Sequence, residues 1–167
     1  MKKIVLCAFF IFAVFVSSLC LAEEIKGKAD EVDAALSVLT VSGVKVAGED
    51  AVTMNGLGMP VDFSVLKPGD YIEADGAFTG PGQMAAQKIK KKAFGEEGIK
   101  GKVLSVDPAS SRIVIGGVEV TAEPNADIED DDGNEISIEE IPIGASVDCE
   151  GRWSGPLMFS ASEIEID

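Results

Sequence analysis

The sequence predicts an all-β protein of two tandem, small, five-stranded barrels behind an N-terminal signal helix. Three observations carry that expectation: the chain repeats itself, both copies alternate apolar and polar residues, and an apolar leader precedes the first copy. Ile25-Lys26-Gly27-Lys28 returns 74 residues later as Ile99-Lys100-Gly101-Lys102, and Gly43-Val44 returns as Gly117-Val118. One inserted residue then moves the offset to 75, pairing Gly69 with Gly144, Gly76 with Gly151, Gly80-Pro81 with Gly155-Pro156 and Ile89 with Ile164.

The leader comes first. Lys2 and Lys3 open it, Ile4 to Val16 is an unbroken apolar run, and Ser17 to Ala22 ends in small residues before Glu23-Glu24. This is the three-part layout of a secretory signal peptide, with cleavage expected after Ala22. Two rivals are an uncleaved anchor, since Ile4 to Ala22 just reaches the roughly 17–25 residues that span a bilayer, and lipidation of Cys20, which the bulky Leu19 disfavours. The expected organisation is a signal peptide over 1–22, repeats over 23–94 and 99–167, and a short linker over 95–98. The mature chain is then exported, periplasmic or at the cell surface, with a membrane contact only if the leader is uncleaved or lipidated at Cys20.

Within each copy the elements read as strands. Leu39 and Val41 alternate with Val38, Thr40 and Ser42, and Ile113 and Ile115 repeat the pattern. Ile72, Ala74, Gly76 and Phe78 match Val147, Cys149, Gly151 and Trp153, facing a core, while Glu73, Asp75, Asp148 and Glu150 face water. A Gly-Pro turn and a last strand close each copy. Asp62 to Leu66 and Ser137 to Ile141 are expected to form a helical turn between the third and fourth strands. Five strands with that insertion are the order of an OB-type, partly open barrel, a small β-sandwich being the alternative.

The layout resembles a bacterial family of exported repeats described as domain of unknown function 5666. The resemblance rests on the opening strands at Gly27 and Gly101, the Gly43-Val44 and Gly117-Val118 hairpins, the Leu66-Lys67-Pro68-Gly69-Asp70 bend, and the closing Ala86 to Ile89 and Ala161 to Ile164. The second copy departs at Ile143-Gly144-Ala145, which lacks the aspartate. The resemblance implies an OB-like barrel in the cell envelope and supplies no catalytic residues.

The chemistry available is narrow. The chain has no histidine, and its Cys7 and Cys20 leave with the leader. Cys149 remains, on the core face where the first copy has Ala74; there it behaves as a small hydrophobe. With no Gly-rich phosphate loop and no carboxylate marked by an apolar pocket, the protein is expected not to be an enzyme, a hydrolase of unknown substrate being the remote alternative.

Charge is divided unevenly. From Glu23 to Phe94 there are 11 acidic and 8 basic residues, and from Gly95 to Asp167 there are 18 and 4. Loss of Lys2 and Lys3 takes the formal net charge from −15 to −17, which repels phosphate and excludes nucleic acid as a partner. Lys45, Lys88 and Lys90 of the first copy stand where the second has Glu119, Glu163 and Glu165. These residues, with Lys92, form a candidate interaction surface on which the basic face of one copy docks the acidic face of the other, in the same chain or a neighbour. The plainer reading is solubility and edge protection.

The densest acidic stretch runs from Asp127 to Glu135. No cofactor is required by the sequence, but Asp127, Glu129, Asp130, Asp132 and Glu135 are candidate calcium ligands, since calcium takes six to eight oxygens. The EF-hand spacing fails, because it puts Ile128 at the first ligand position, and Asp132-Gly133-Asn134 also reads as a hairpin tip. The functional expectation is an exported, non-enzymatic binding or assembly module of the bacterial envelope, whose partner is an envelope protein or a second copy. A calcium-dependent module is the alternative.

Overall fold

The computed structural model describes residues 22–167, so the expected signal helix lies outside the described residues. The first repeat contains β1 (Glu23–Asp33), β2 (Val38–Val41), β3 (Val44–Ala47), β4 (Val52–Met54), β5 (Tyr71–Gly80) and β6 (Gln83–Lys92). The second contains β7 (Glu97–Asp107), β8 (Arg112–Ile115), β9 (Val118–Glu129), β10 (Ser146–Gly155) and β11 (Met158–Ile166). The chain is all-β with two tandem repeats. Of the four residues expected as linker, Glu97 and Gly98 already belong to β7.

Both expected helical turns are short 3₁₀ turns, at Phe63–Val65 and Ile138–Glu140. The Asp62 carboxylate accepts from the Ser64 N–H in the first, and Ser137 and Glu140 form a capping box in the second. The count of five strands holds only in the second repeat. In the first, the strand equivalent to β9 is broken into β3 and β4, where the Ala51 N–H turns back to the Gly48 carbonyl at 3.2 Å.

Pairings close a ring in each repeat. In the first, β1 pairs with β2, β2 with β3, β3 in parallel with β6, β6 with β5, and β5 with β1. In the second, β7, β8, β9, β11 and β10 follow the same circuit. The expectation of two separate barrels is nevertheless corrected. The hydrogen-bonded network does not stop at the repeat boundary: β1 uses its second edge to pair with β7, so the eleven strands form one winding sheet joined repeat to repeat, as in a β-solenoid.

The core follows the alternation. Ile72, Ala74 and Ile89 are fully buried in one repeat, and Val147, Cys149 and Ile164 in the other. Each burial of such a side chain contributes roughly 1.5–3 kcal/mol for the larger aliphatics. Gly76 and Gly151 sit at matching bulges. A Cβ at either would lie 2.1 Å from a backbone carbonyl of the neighbouring strand, Ala85 or Ser160, so only glycine lets the strands approach.

Candidate functional site

Three places on the molecule bring functional groups together: the junction of the repeats, the charged outer face, and the acidic loop of the second repeat. The junction is built around the β1–β7 pair, where Ile25 lies opposite Ile99, its own counterpart. The flanking contacts are reciprocal. The Leu157 N–H donates to the Ser42 carbonyl and the Gly82 N–H to the Gly116 carbonyl, both at 2.7 Å, between equivalent turns. Trp153 packs on Gly27, where a Cβ would lie 2.8 Å from the indole Nε1, and Phe78 packs on Gly101 and Gly116. The copies are thus joined as an isologous dimer is, each giving the other the same surface.

One bond breaks that symmetry. The Trp153 indole N–H donates to the Lys26 carbonyl at 2.9 Å, which Phe78 has no means to match. Alternation alone places Phe78 and Trp153 inward; the structure places both half-buried against the opposite repeat, with Trp153 also edge-on to Phe159 at 5.1 Å. Sequence reasoning missed this role, and the signal was available in the glycines repeated at 27 and 101.

The charged face runs across β6, β5 and β1 into β10 and β11. In the first repeat it is neutralised locally: Lys88 pairs with Asp75, Lys90 and Lys92 with Glu73, and Glu24 with Lys26 at 2.7 Å. The carboxylates of Glu24, Glu73 and Asp75 converge within 4.8 Å of one another, a group the sequence did not suggest. Burial pushes the Glu24 carboxyl up, while the Lys26 ammonium beside it pulls down. Lys88 is held above the usual lysine range, first by its hydrogen bond to Asp75. The lysines already occupy the surroundings where a bound cation would sit.

In the second repeat only Lys100, on β7, reaches this face, meeting Asp148 at 3.8 Å and Asp167 at 2.7 Å, and β9 and β11 carry no lysine. Asp148 lies opposite Glu165 and Glu150 opposite Glu163 across β10 and β11, and Glu163 and Glu165 lie beside Asp127 and Glu129 across β11 and β9. Six carboxylates therefore occupy a two-by-three lattice on one face. Glu163 is pushed up by burial and by the charges of Glu150, Asp127, Glu129 and Glu165.

The docking expected from sign reversal is not what joins the repeats within the chain. Lys88, Lys90 and Lys92 are spent inside the first repeat, Glu119 pairs with Arg112 inside the second at 2.5 Å, and Lys45 lies exposed on β3. Glycines, aromatics and backbone bonds make the joint instead.

The candidate calcium ligands are partly tied up. Asp130 accepts from the N–H groups of Asp132 and Asn134 and from the Asn134 side chain, at 2.8–3.0 Å, and these bonds hold its carboxyl below the usual range. Asp127 and Glu129 belong to the lattice on β9, while Asp132 and Glu135 are exposed. Among the described residues the five carboxylates do not form a group within 4.8 Å, as Glu24, Glu73 and Asp75 do. Cys149 is fully buried, and burial first, then the Asp148 charge, push its thiol far up.

A family model described as "Domain of unknown function (DUF5666)" matches the chain twice, over residues 26–90 and 100–165. No curated protein and no solved structure matches it.

Proposed function

The chain belongs to the DUF5666 family, and on that premise we propose that it is an exported, non-enzymatic binding or assembly module of the bacterial cell envelope. The observation that carries this reading is the divergence of one lattice. Positions 52, 54, 73, 75, 88 and 90 are Val, Met, Glu, Asp, Lys and Lys, and their equivalents 75 residues on are all acidic. Core and bulges are kept in both copies while the outward surface is rewritten, as suits a scaffold that presents different faces to partners.

Each repeat, over 23–94 and 99–167, is read as an OB-like ring of strands fused to its neighbour in one winding sheet. This reading is supported by its closed circuit of pairings, by the β1–β7 pair and by its 3₁₀ turn between β4 and β5 or between β9 and β10. The non-enzymatic reading is supported by the lack of histidine and by a lone thiol that is buried and held protonated. The partner is an envelope protein or a second copy meeting the repeat faces, and not nucleic acid.

Cell fractionation with N-terminal sequencing, combined with crosslinking in intact cells, tests the proposal. The expected result is envelope protein beginning at Glu23, forming adducts that disappear when Glu150 and Glu163 are changed to Lys. Protein retained in the cytoplasm, or adducts indifferent to those changes, would overturn it. The calcium-dependent alternative is separated by calorimetry: saturable calcium binding lost in Asp130→Asn with Asp132→Asn would favour it.

A further inference from the structure

A cleft of about 720 Å³ opens where the connector between β6 and β7 crosses the junction of the repeats. Small-ligand sites fall in the range of about 300–1,000 Å³ and concentrate at such junctions. Its wall is clamped in place. The Tyr71 hydroxyl donates to the Glu96 carbonyl, and a Cβ on Gly95 would lie 2.5 Å from the Tyr71 ring, so the connector lies flat on that ring. The clamped connector presents Phe94 to solvent at 85 % exposure. Every other aromatic of the described residues is buried or half-buried, so Phe94 is the one such ring left without cover.

The groups facing it narrow the ligand. Lys28 supplies donors, as does Arg152 through the N–H groups left after its bond to Glu123 at 3.0 Å; Glu96 and Glu150 supply acceptors, and Glu97 is taken by the Trp153 backbone N–H at 2.8 Å. An anion meets two glutamates and a strongly acidic chain, and a cation meets the lysine and the guanidinium. A purely apolar ligand strips water from all four charges with nothing in return. A neutral hydroxyl-rich ring satisfies both sets, because each hydroxyl donates and accepts, and its C–H face covers the Phe94 ring. We infer that this cleft binds a neutral sugar chain, stacked on Phe94 and hydrogen-bonded by Arg152, Lys28, Glu96 and Glu150. The inference rests on the reading of the protein as a binding module and names its ligand class.

The test is a titration of the isotopically labelled chain from Glu23 with maltotriose, cellotriose and tri-N-acetylchitotriose, followed by NMR. At least one sugar is expected to shift the amides of Phe94 to Glu97 and Glu150 to Arg152 saturably. Phe94→Ala should then weaken binding about tenfold, while Phe94→Tyr keeps it within about twofold and both variants melt as the parent does. No saturable shift with any of the three sugars, or equal binding by Phe94→Ala, overturns the inference. If the in-cell adducts survive that outcome, the module reading stands and only the ligand class falls; if the adducts are absent while a sugar binds, the reverse holds.

Discussion

The two repeats are built on one backbone plan and finished with opposite surfaces. On the first, Lys88, Lys90 and Lys92 of β6 each meet a carboxylate of β5, and Val52 and Met54 complete the lattice. On the second, the same six positions hold only carboxylates, placing like charges directly opposite on neighbouring strands. Such cross-strand pairs each disfavour the sheet by about 0.2–1 kcal/mol. The ring of pairings survives both versions, so these charges adjust stability without setting the fold.

The sharpest way to break the comparison is at the element both repeats share. Gly76→Ala and Gly151→Ala should each cost about 3 kcal/mol or more, because the new methyl meets backbone that has no rotamer to escape through. Urea unfolding checks it, and unequal costs would show that the bulges are not equivalent. Next comes the junction. Trp153→Ala should cost roughly 3–5 kcal/mol, and Trp153→Phe, which restores the symmetry with Phe78, about 1 kcal/mol for the lost bond to Lys26. If the latter variant were as damaged as the former, the joint would depend on that hydrogen bond and not on packing.

Charge effects are smaller and of opposite sign in the two repeats. Glu163→Lys, which installs the first repeat's residue, should stabilise by about 0.5 kcal/mol, and Lys88→Glu should destabilise by a similar amount. Raising salt should shrink both differences. The pH dependence follows from the raised Glu163 carboxyl. Below its ordinary value of 4.5 the group is protonated folded and unfolded and costs nothing. As pH rises through 4.5 and then the higher folded value, the unfolded chain ionises first and the folded state loses stability. Thermal melts of Glu163→Gln against the parent should therefore converge below about pH 4.5 and separate above it. Smallest of all, Cys149 should resist a thiol reagent in the native state at pH 8 and react only on unfolding, since burial holds the thiol protonated.

Much of the chain was legible before folding. The 74- and 75-residue offsets, the buried and wet faces of β5 and β10, the two 3₁₀ turns and the burial of Cys149 are all local or comparative properties, set by side-chain period and turn chemistry. The sign reversals were legible too, at Lys88 against Glu163 and Lys90 against Glu165. Their meaning was not, because Asp75 and Glu73, which neutralise the lysines, are identified as partners only by the register of β5 on β6.

By itself, then, the amino-acid order determined that this is a duplicated, all-β, strongly acidic chain, since periodicity and composition act residue by residue. Only the tertiary structure decided that the strands continue from one repeat into the next, that Trp153 seats on Gly27, and that six carboxylates from β9, β10 and β11 share a face. Those decisions pair residues up to 127 positions apart, and which edges and faces meet is chosen by the packing of the whole core, not by any local stretch of sequence.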